Sequence, residues 1–416
     1  MPERARTTDA SSSPGSPGGA AAAPEFRSRA AAAGDERPLS ILEVVVRFFP
    51  YVGGVENTVY ELSRRLVRRG HRVRVVCAAE PAGAPSNVEG IAVDRLPWRG
   101  KVGNANLCRG LRRAARDAAA EIRADLVHAH LPTALFPEAA AAAARARRVP
   151  LVFTYNNDQV VPGPLGLLGR LYHRLVLPAV LRRAAAIVVP NAEYPRASPY
   201  LRSHLDRIVS IPWAVDLERF RPAPEPRRPP LIVGYLALLD RLHRYKGLED
   251  LLRGAAAAVR DGAGLRLRIG GTGNALPAHR ALAAELGLAD RIEWLGFVPK
   301  AKLPAFFAGL HLFALPSRNL RQEGFGLVAL EAMASGRPVL TTPVAAVAAD
   351  LQRHEAGIVV PPHSPAAIAE ALGAAAAGTL PLAAMGTRAR RLAEERYGWE
   401  SVADAYESLF HRLRAR

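Results

Sequence analysis

Two glutamates, Glu323 and Glu331, stand eight residues apart around the run Gly324-Phe325-Gly326-Leu327. Small residues at the start of a helix let an anion approach free backbone N–H groups, and the helix dipole favours negative charge there. The spacing sets Glu323 just ahead of the helix and Glu331 about two turns into it. One carboxylate can then reach the sugar end of a diphosphate ligand and the other a ribose. On spacing alone, a capping glutamate and a solvated one explain the pair as well.

Lys246-Gly247 is the second feature. Lysine supplies only Lys101, Lys246, Lys300 and Lys302 among 56 basic residues. At a strand–helix junction a compact ammonium suits a phosphate, with Arg241 and Arg244 near it in sequence; a chance surface lysine is the plainer alternative. Gly53-Gly54 is half of a phosphate-binding turn without G-x-G-x-x-G, and Gly270-Gly-Thr-Gly273 is equally weak alone. In His128-Ala-His130, strand alternation turns both rings to one face. No carboxylate cluster near them in sequence supports a metal pair. A D-x-D metal–diphosphate signature is absent, Asp216-Leu-Glu218 being nearest. No catalytic metal is expected.

The elements that must position these residues alternate along the chain. Ile41–Val46 reads as a buried strand. Val55, Val59, Leu62 and Leu66 recur at helical spacing, with Arg64, Arg65, Arg68 and Arg69 largely opposite, and Gly70 ends that helix. Val73–Cys77 is a second strand, so the unit is strand–helix–strand and implies a parallel sheet. Further strand runs are Leu126–His130, Leu151–Thr154, Ile187–Val189 and Ile208–Ile211. Arg221–Pro230, dense in proline, reads as a linker. The alternation restarts with Leu231–Tyr235, Leu265–Ile269, Ile292–Leu295, Leu310–Leu315, Pro338–Thr342 and Gly357–Val360. Two α/β domains follow, each with a mainly parallel sheet, and ligands are expected at facing strand ends.

With 416 residues and 49% apolar content, the chain can build more than one core. No run reaches the ~18 uncharged apolar residues of a membrane helix. The most apolar segment, Leu165–Val189, is broken by Arg170, His173, Arg174, Arg182 and Arg183. The start has no apolar signal region, so no secretory leader is expected. Cys77 and Cys108, without C-x-x-C, argue against a disulfide scaffold or zinc ribbon and fit a reducing cytoplasm. Residues 1–37 are Ala, Ser, Gly, Pro and Arg without periodicity and are expected to be disordered. The net charge is +18; residues 39–215 hold 25 basic against 13 acidic, and residues 216–416 hold 26 against 20. Such charge attracts phosphorylated substrates, anionic lipid or nucleic acid. No helix-turn-helix, finger or aromatic RNA platform supports the last.

The order of motifs resembles that of retaining glycosyltransferases of the GT-B fold, family 4 (group 1), over residues 40–412. It is carried by Phe49-Pro-x2-Gly53-Gly54 and Gly70-His-x-Val73; Asp125-Leu-Val-His-Ala-His130; Ile211-Pro-x2-Val-Asp216-x3-Phe220; Lys246-Gly247; Gly270-Gly-Thr-Gly273; Leu295-Gly-Phe-Val-Pro299; and Pro316-Ser317 through Pro338. The resemblance implies two Rossmann-like domains facing a cleft, residues 38–215 for the acceptor and 216–398 for the nucleotide sugar. It also implies a last helix, 399–416, that crosses back onto the first domain. The implied substrate is a UDP- or GDP-linked donor, without further cofactor or metal. Implied catalytic residues are Glu323 on the sugar hydroxyls, His130 at the reacting sugar and Lys246 on the leaving diphosphate. Implied donor contacts are Gly54, Arg241, Phe297 and Val298 beside the base, Gly324, Phe325, Gly326, Leu327, and Glu331 on the ribose. Asn156 and Asp158 fall on the acceptor side. The expected acceptor is a glycan or lipid-linked hydroxyl, and the expected location is cytoplasmic, at the inner face of an anionic membrane.

Three positions depart from the family pattern. Thr154-Tyr-Asn156 stands where Thr-x-His is frequent, and Ala345-Ala346 where Gly-Gly is. Tyr235 follows Gly234 where an arginine is usual, which leaves Arg241 as the substitute. They motivate the alternative of a catalytically degenerate scaffold; the intact Glu323, Glu331 and Lys246 argue for an enzyme.

Overall fold

The computed structural model describes residues 37–415 apart from 52, 103, 157, 159–163, 228, 321, 322 and 324. The expected disordered tail lies almost wholly outside the described residues. Short apolar runs bounded by Gly, Pro and polar residues form the strands, and most of those in the middle of the sheets are buried on both faces, as parallel strands covered by helices must be. The first sheet contains β1 (Ser40–Val44), β2 (Arg72–Ala78), β3 (Asn87–Val88) and β4 (Ile91–Leu96). A separate antiparallel hairpin, β5 (Trp98–Val102) and β6 (Ala105–Cys108), follows. The sheet is completed by β7 (Leu126–Leu131), β8 (Leu151–Tyr155), β9 (Ala186–Val189) and β10 (Ile208–Ser210). Its order is β10-β9-β8-β7-β1-β2-β4-β3, parallel except for β3 against β4.

The second sheet, β11 (Leu231–Leu236), β12 (Leu265–Gly270), β13 (Ile292–Gly296), β14 (Leu312–Leu315), β15 (Val339–Thr341) and β16 (Gly357–Val359), has the order β13-β12-β11-β14-β15-β16 and is parallel throughout. In each sheet the strand order reverses once, between β1 and β7 and between β11 and β14. The carboxyl ends of strands at such a reversal are where a crevice opens. Gly53-Gly54, Lys246 and Glu323 sit on loops that leave three of those strands, and His128 and His130 lie at the end of the fourth, β7.

The proline-rich stretch between the domains is fastened rather than free. Arg337 is almost fully buried, and its guanidinium donates to the carbonyls of Phe307 (3.1 Å), Ala308 (3.0 Å), Ala223 (2.7 Å) and Pro224 (3.1 Å). His311 accepts from Ile232 N (2.9 Å) and turns its other ring nitrogen to Pro226 O (2.9 Å). Arg390 donates to the carbonyls of Phe220 and Ala334. The linker is thereby part of the second domain.

The chain crosses between the domains a second time at Gly398, and the two crossings touch. Val215 and Gly398 form an isolated parallel bridge, and Val215 N donates to Tyr397 O (2.8 Å). Beyond Gly398 the C-terminal helix, Trp399–Arg414, buries Val402, Tyr406, Leu409 and Phe410 in the first domain's core beside Val59, Leu62 and Leu66. Its acidic side meets the basic side of the first helix, Gly54–Arg68, and the turn after it. Arg65 pairs with Glu400 at 2.9 Å, and Arg69 reaches Glu400, Asp404 and Glu407 at 2.6–2.7 Å.

Replacing Arg337 by alanine strips buried carbonyls of their donor and is expected to cost about 3 kcal/mol. In a domain of this size that lowers the melting midpoint by roughly 6–12 °C. Calorimetry reads it directly; a fall of only a degree or so would mean that the linker holds itself.

Candidate functional site

A cleft of about 710 Å³ lies between the facing strand ends. The first domain lines it with the loop after β1, Gly53 and Gly54, Asn104, His130–Thr133, Asn156 and Trp213; the second contributes Leu236–Leu238, His243, Tyr245, Lys246, Glu323 and Phe325–Val328. A side lobe of about 320 Å³ shares Gly53, Gly54, Trp213 and Leu327 with it and runs on to Arg219, Lys300 and Glu331. Two helices begin at this cleft, Gly54–Arg68 and Leu327–Ala334. Their N-caps, Gly53 and Gly326, supply no side-chain acceptor. The first-turn N–H groups are left for a ligand, with the positive ends of both dipoles.

Glu323 is 2% exposed. Lys246 Nζ donates to both its oxygens, at 2.8 and 2.7 Å, and Ser317 Oγ donates to Oε2 at 2.6 Å. The loop after β11 delivers the lysine. It closes in a 3₁₀ turn, Arg241–Lys246, capped by Asp240, which accepts from Leu242 N and His243 N. Gly247 then turns with φ of 78°, and a Cβ there would lie 1.9 Å from Pro316 O. Only glycine lets the lysine loop lie against the loop after β14. Arg318 joins the same two loops, gripping Asp250 with two hydrogen bonds of 2.6 Å while its N–H donates to Tyr245 O (2.7 Å). The run Gly270–Gly273 forms a bed for this assembly. A Cβ on Gly271 would meet Ala237 O at 1.9 Å, and one on Gly273 the Leu239 backbone at 2.2 Å.

Glu331 opens into the side lobe and accepts no side-chain hydrogen bond among the described residues. Burial pushes its pKa up to about 7, against the pull of Arg219 and Lys300. On the opposite wall His130, 5% exposed, is held well below the usual histidine pKa by burial and by His128, so its ring is neutral at neutral pH. Strand pairing sets Glu43 of β1 directly beside His128 of β7. This is the carboxylate that sequence neighbours did not offer the histidine pair. Glu43, His128 and His130 bring donor atoms within 4.8 Å of one another. Both nitrogens of His128 are committed, however, Nδ1 to Glu43 Oε1 (2.9 Å) and Nε2 to Thr154 Oγ1 (2.8 Å). Two uncommitted ligand atoms are too few for a metal cage.

The family model for glycosyl transferases group 1 matches residues 231–377, and that for glycosyltransferase family 4 matches residues 52–219. A D-inositol 3-phosphate glycosyltransferase of Xylanimonas cellulosilytica is 31% identical over 396 residues, covering 85% of this chain and 90% of that protein. The chain belongs to the family 4 (group 1) glycosyltransferases. A GDP-mannose:cellobiosyl-diphosphopolyprenol alpha-mannosyltransferase of Komagataeibacter xylinus is 29% identical over 396 residues, 92% of this chain and 95% of that protein. The crystal structure of Anabaena HepE in complex with UDP superposes with a TM-score of 0.70 at 18% identity, over 90% of this chain and 100% of that one. The fold is GT-B, two Rossmann-like domains with parallel sheets.

The glycosyltransferase's cleft gathers Gly54, His130, Asn156, Lys246, Glu323, Phe325, Gly326 and Leu327, with Glu331 in the side lobe. Gly324 lies outside the described residues. Four other expected positions are not brought there. Arg241 is exposed, its N–H held by Asn274 (2.9 Å). Phe297 is 72% exposed, and Val298 packs over Gly270. Asp158 is buried beside Tyr155 and Ser198, accepting at 2.9 and 2.8 Å, and serves the packing of the first domain. Arg47, Trp213, Arg219 and Lys300 line the cleft or its lobe without having been singled out. Arg47 directly follows the first predicted strand and Lys300 is one of four lysines; both signals were present.

Lys246→Ala leaves a buried carboxylate without its counter-charge and is expected to destabilise the second domain by about 3–5 kcal/mol. Adding Glu323→Gln should recover most of that loss in a denaturation series; equal instability of single and double variants would show that the pair does not hold the two loops. Glu331 provides a pH test. Its folded pKa lies above the ordinary value, so the native state holds this proton more tightly. The associated stability is full in acid and is lost as pH rises from roughly 4.5 towards 7. Glu331→Gln should match the wild type in melting temperature near pH 4.5 and exceed it near pH 7.5; parallel curves would contradict the buried carboxyl.

Proposed function

We propose that this glycosyltransferase moves a hexose from a UDP- or GDP-linked donor to a hydroxyl of a glycan or lipid-linked acceptor, with retention and without a metal. The observation that carries the reading is the Lys246–Glu323 pair at the floor of a cleft into which two helix N-termini open. A diphosphate fits between the Gly54 and Leu327 ends, where amide dipoles and the lysine ammonium face the charge that grows on the leaving group. Such fixed donors supply the stabilisation a metal would otherwise give. Release of Lys246 to the phosphate frees Glu323 to accept from sugar hydroxyls. Glu331, half-buried in the side lobe, suits a ribose diol. Neutral His130 stands on the opposite wall, where this reading puts the reacting sugar.

In the proposed step the donor's C1–O bond to phosphate breaks as the acceptor oxygen bonds C1 on the same face. The leaving phosphate takes the acceptor proton, so no side chain serves as nucleophile. Closure about the Val215–Gly398 crossing excludes water. The mannosyltransferase of Komagataeibacter, named for GDP-mannose and a diphosphopolyprenol-linked sugar, supports a lipid-linked acceptor; the UDP complex of HepE supports the uridine alternative. Among the described residues no helix is long and apolar enough to cross a membrane. The Leu165–Arg183 segment splits: Leu177, Val180 and Leu181 are buried, whereas Leu171 and Leu175 are 51% and 64% exposed near exposed Arg174. That exposed apolar and basic strip supports docking on an anionic bilayer from the cytoplasmic side.

Thermal shift with UDP, GDP and ADP tests the donor site. One nucleotide at millimolar concentration should stabilise the wild type by about 1–3 kcal/mol, and Glu331→Ala and Lys246→Ala should each lose most of that increment relative to their own free forms. Acceptor-dependent nucleotide release that survives EDTA, with an axial-to-axial anomeric outcome by NMR, completes the assay. A folded protein indifferent to all three nucleotides would favour the scaffold alternative.

A further inference from the structure

Two buried polar atoms of the first domain face each other without hydrogen-bond partners among the described residues. They are Glu43 Oε2 and His130 Nε2, 3.8 Å apart. A carboxylate oxygen left in this state is costly, and the surroundings explain why it is kept there. Glu43 ends a polar chain that runs from the C-terminal helix through the sheet. Tyr406 OH lies 3.0 Å from Thr154 Oγ1, Thr154 Oγ1 lies 2.8 Å from His128 Nε2, and His128 Nδ1 lies 2.9 Å from Glu43 Oε1.

The chemistry of the groups orients this chain. A carboxylate only accepts, so His128 donates through Nδ1. His128 Nε2 and the hydroxyls of Thr154 and Tyr406 continue the chain, and hydrogen bonds linked in series reinforce one another. The chain satisfies Oε1 and holds the carboxylate plane, which leaves Oε2 directed at the ring of His130.

We propose that Glu43 is the positioning residue for His130: its free oxygen accepts the Nε2 proton as the cleft closes, fixes the Nε2–H tautomer and leaves Nδ1 as the ring nitrogen available to the substrates. This rests on the reading of His130 as a residue at the reacting sugar. The present separation is 3.8 Å, and catalytic hydrogen bonds commonly tighten only in the complex. A histidine that works through one nitrogen is set by the bond the other nitrogen makes.

The test is a double-mutant cycle with His130→Ala and Glu43→Gln, read as kcat and donor KM. Glu43→Gln keeps the size and the contact to His128 but loses the charge that attracts the Nε2 proton. It is expected to lower kcat by about tenfold or more with donor KM within about twofold, and to add less than about twofold when His130 is already alanine. A slow His130→Ala enzyme beside a fast Glu43→Gln enzyme, or losses that multiply in the double variant, would overturn this proposal alone. A His130→Ala enzyme as fast as the wild type would overturn it together with the catalytic reading of His130. Should Glu43→Gln not fold, long-range ¹⁵N spectra of the histidine rings in the wild-type protein decide: an Nε2–H ring at His130 supports the assignment and an Nδ1–H ring overturns it.

Discussion

A carboxylate almost without solvent must have a counter-charge, and the second domain is arranged around meeting that need for Glu323. The lysine that meets it comes from a different strand, so two loops have to converge within hydrogen-bonding distance. Their convergence explains features that look unrelated in the sequence. Gly247 is required because the lysine loop touches the Pro316 carbonyl. Arg318 and Asp250 tie the loops a second time. Gly271 and Gly273 are small because the chain ahead of Lys246 rests on them. Without a ligand, then, the charges of the site neutralise one another. The proposed diphosphate would offer the lysine a second anion, in a place where two helix dipoles already favour one.

The first domain solves a different problem, which is to stay registered with the second while still able to move. Its C-terminal helix belongs to it by packing and by the Arg65 and Arg69 ion pairs, yet that helix begins at the hinge. Tyr406 lies about two turns beyond Gly398 and is the first member of the polar chain that ends at Glu43. The helix that leaves the crossing thus also carries the far end of the buried network behind His130. Meanwhile Arg337, Arg390 and His311 fasten the chain that leaves the first crossing, at Phe220, Ala223, Pro224 and Pro226.

Most of the α/β alternation could be read from apolar runs of strand length and from helical periodicity, because buried parallel strands carry their signal locally. The residues 87–108 escaped that reading. Two of the four strands there pair with each other in a separate hairpin, and β3 holds only two residues, too short for a pattern. Cleft residues with strong local surroundings, such as Glu323, Gly326 and Lys246, were legible. Those whose meaning lies in a partner from another strand were not. Glu43 looks like an oddity inside an apolar run until the β1–β7 pairing sets it beside His128. Arg241 shows the converse: closeness in sequence to Lys246 says nothing of direction, and the capped 3₁₀ turn leaves its side chain in solvent.

The division of labour between arginine and lysine follows the same logic. The planar guanidinium reaches several acceptors at once, and three arginines are spent on backbone carbonyls: buried Arg337 on four of them, half-buried Arg390 on those of Phe220 and Ala334, and Arg207 on those of Arg182 and Ala184. A group bound by so many fixed bonds cannot change partners when a ligand arrives. The ammonium of lysine is a compact charge on a flexible stem and gives up one carboxylate for another anion at lower cost. In a chain whose basic residues are nearly all arginine, two of the four lysines, Lys246 and Lys300, line the cleft and its side lobe. Arg337 and Arg390 hold the fixed backbone around the linker, and Lys246 is the cation suited to trading one anion for another.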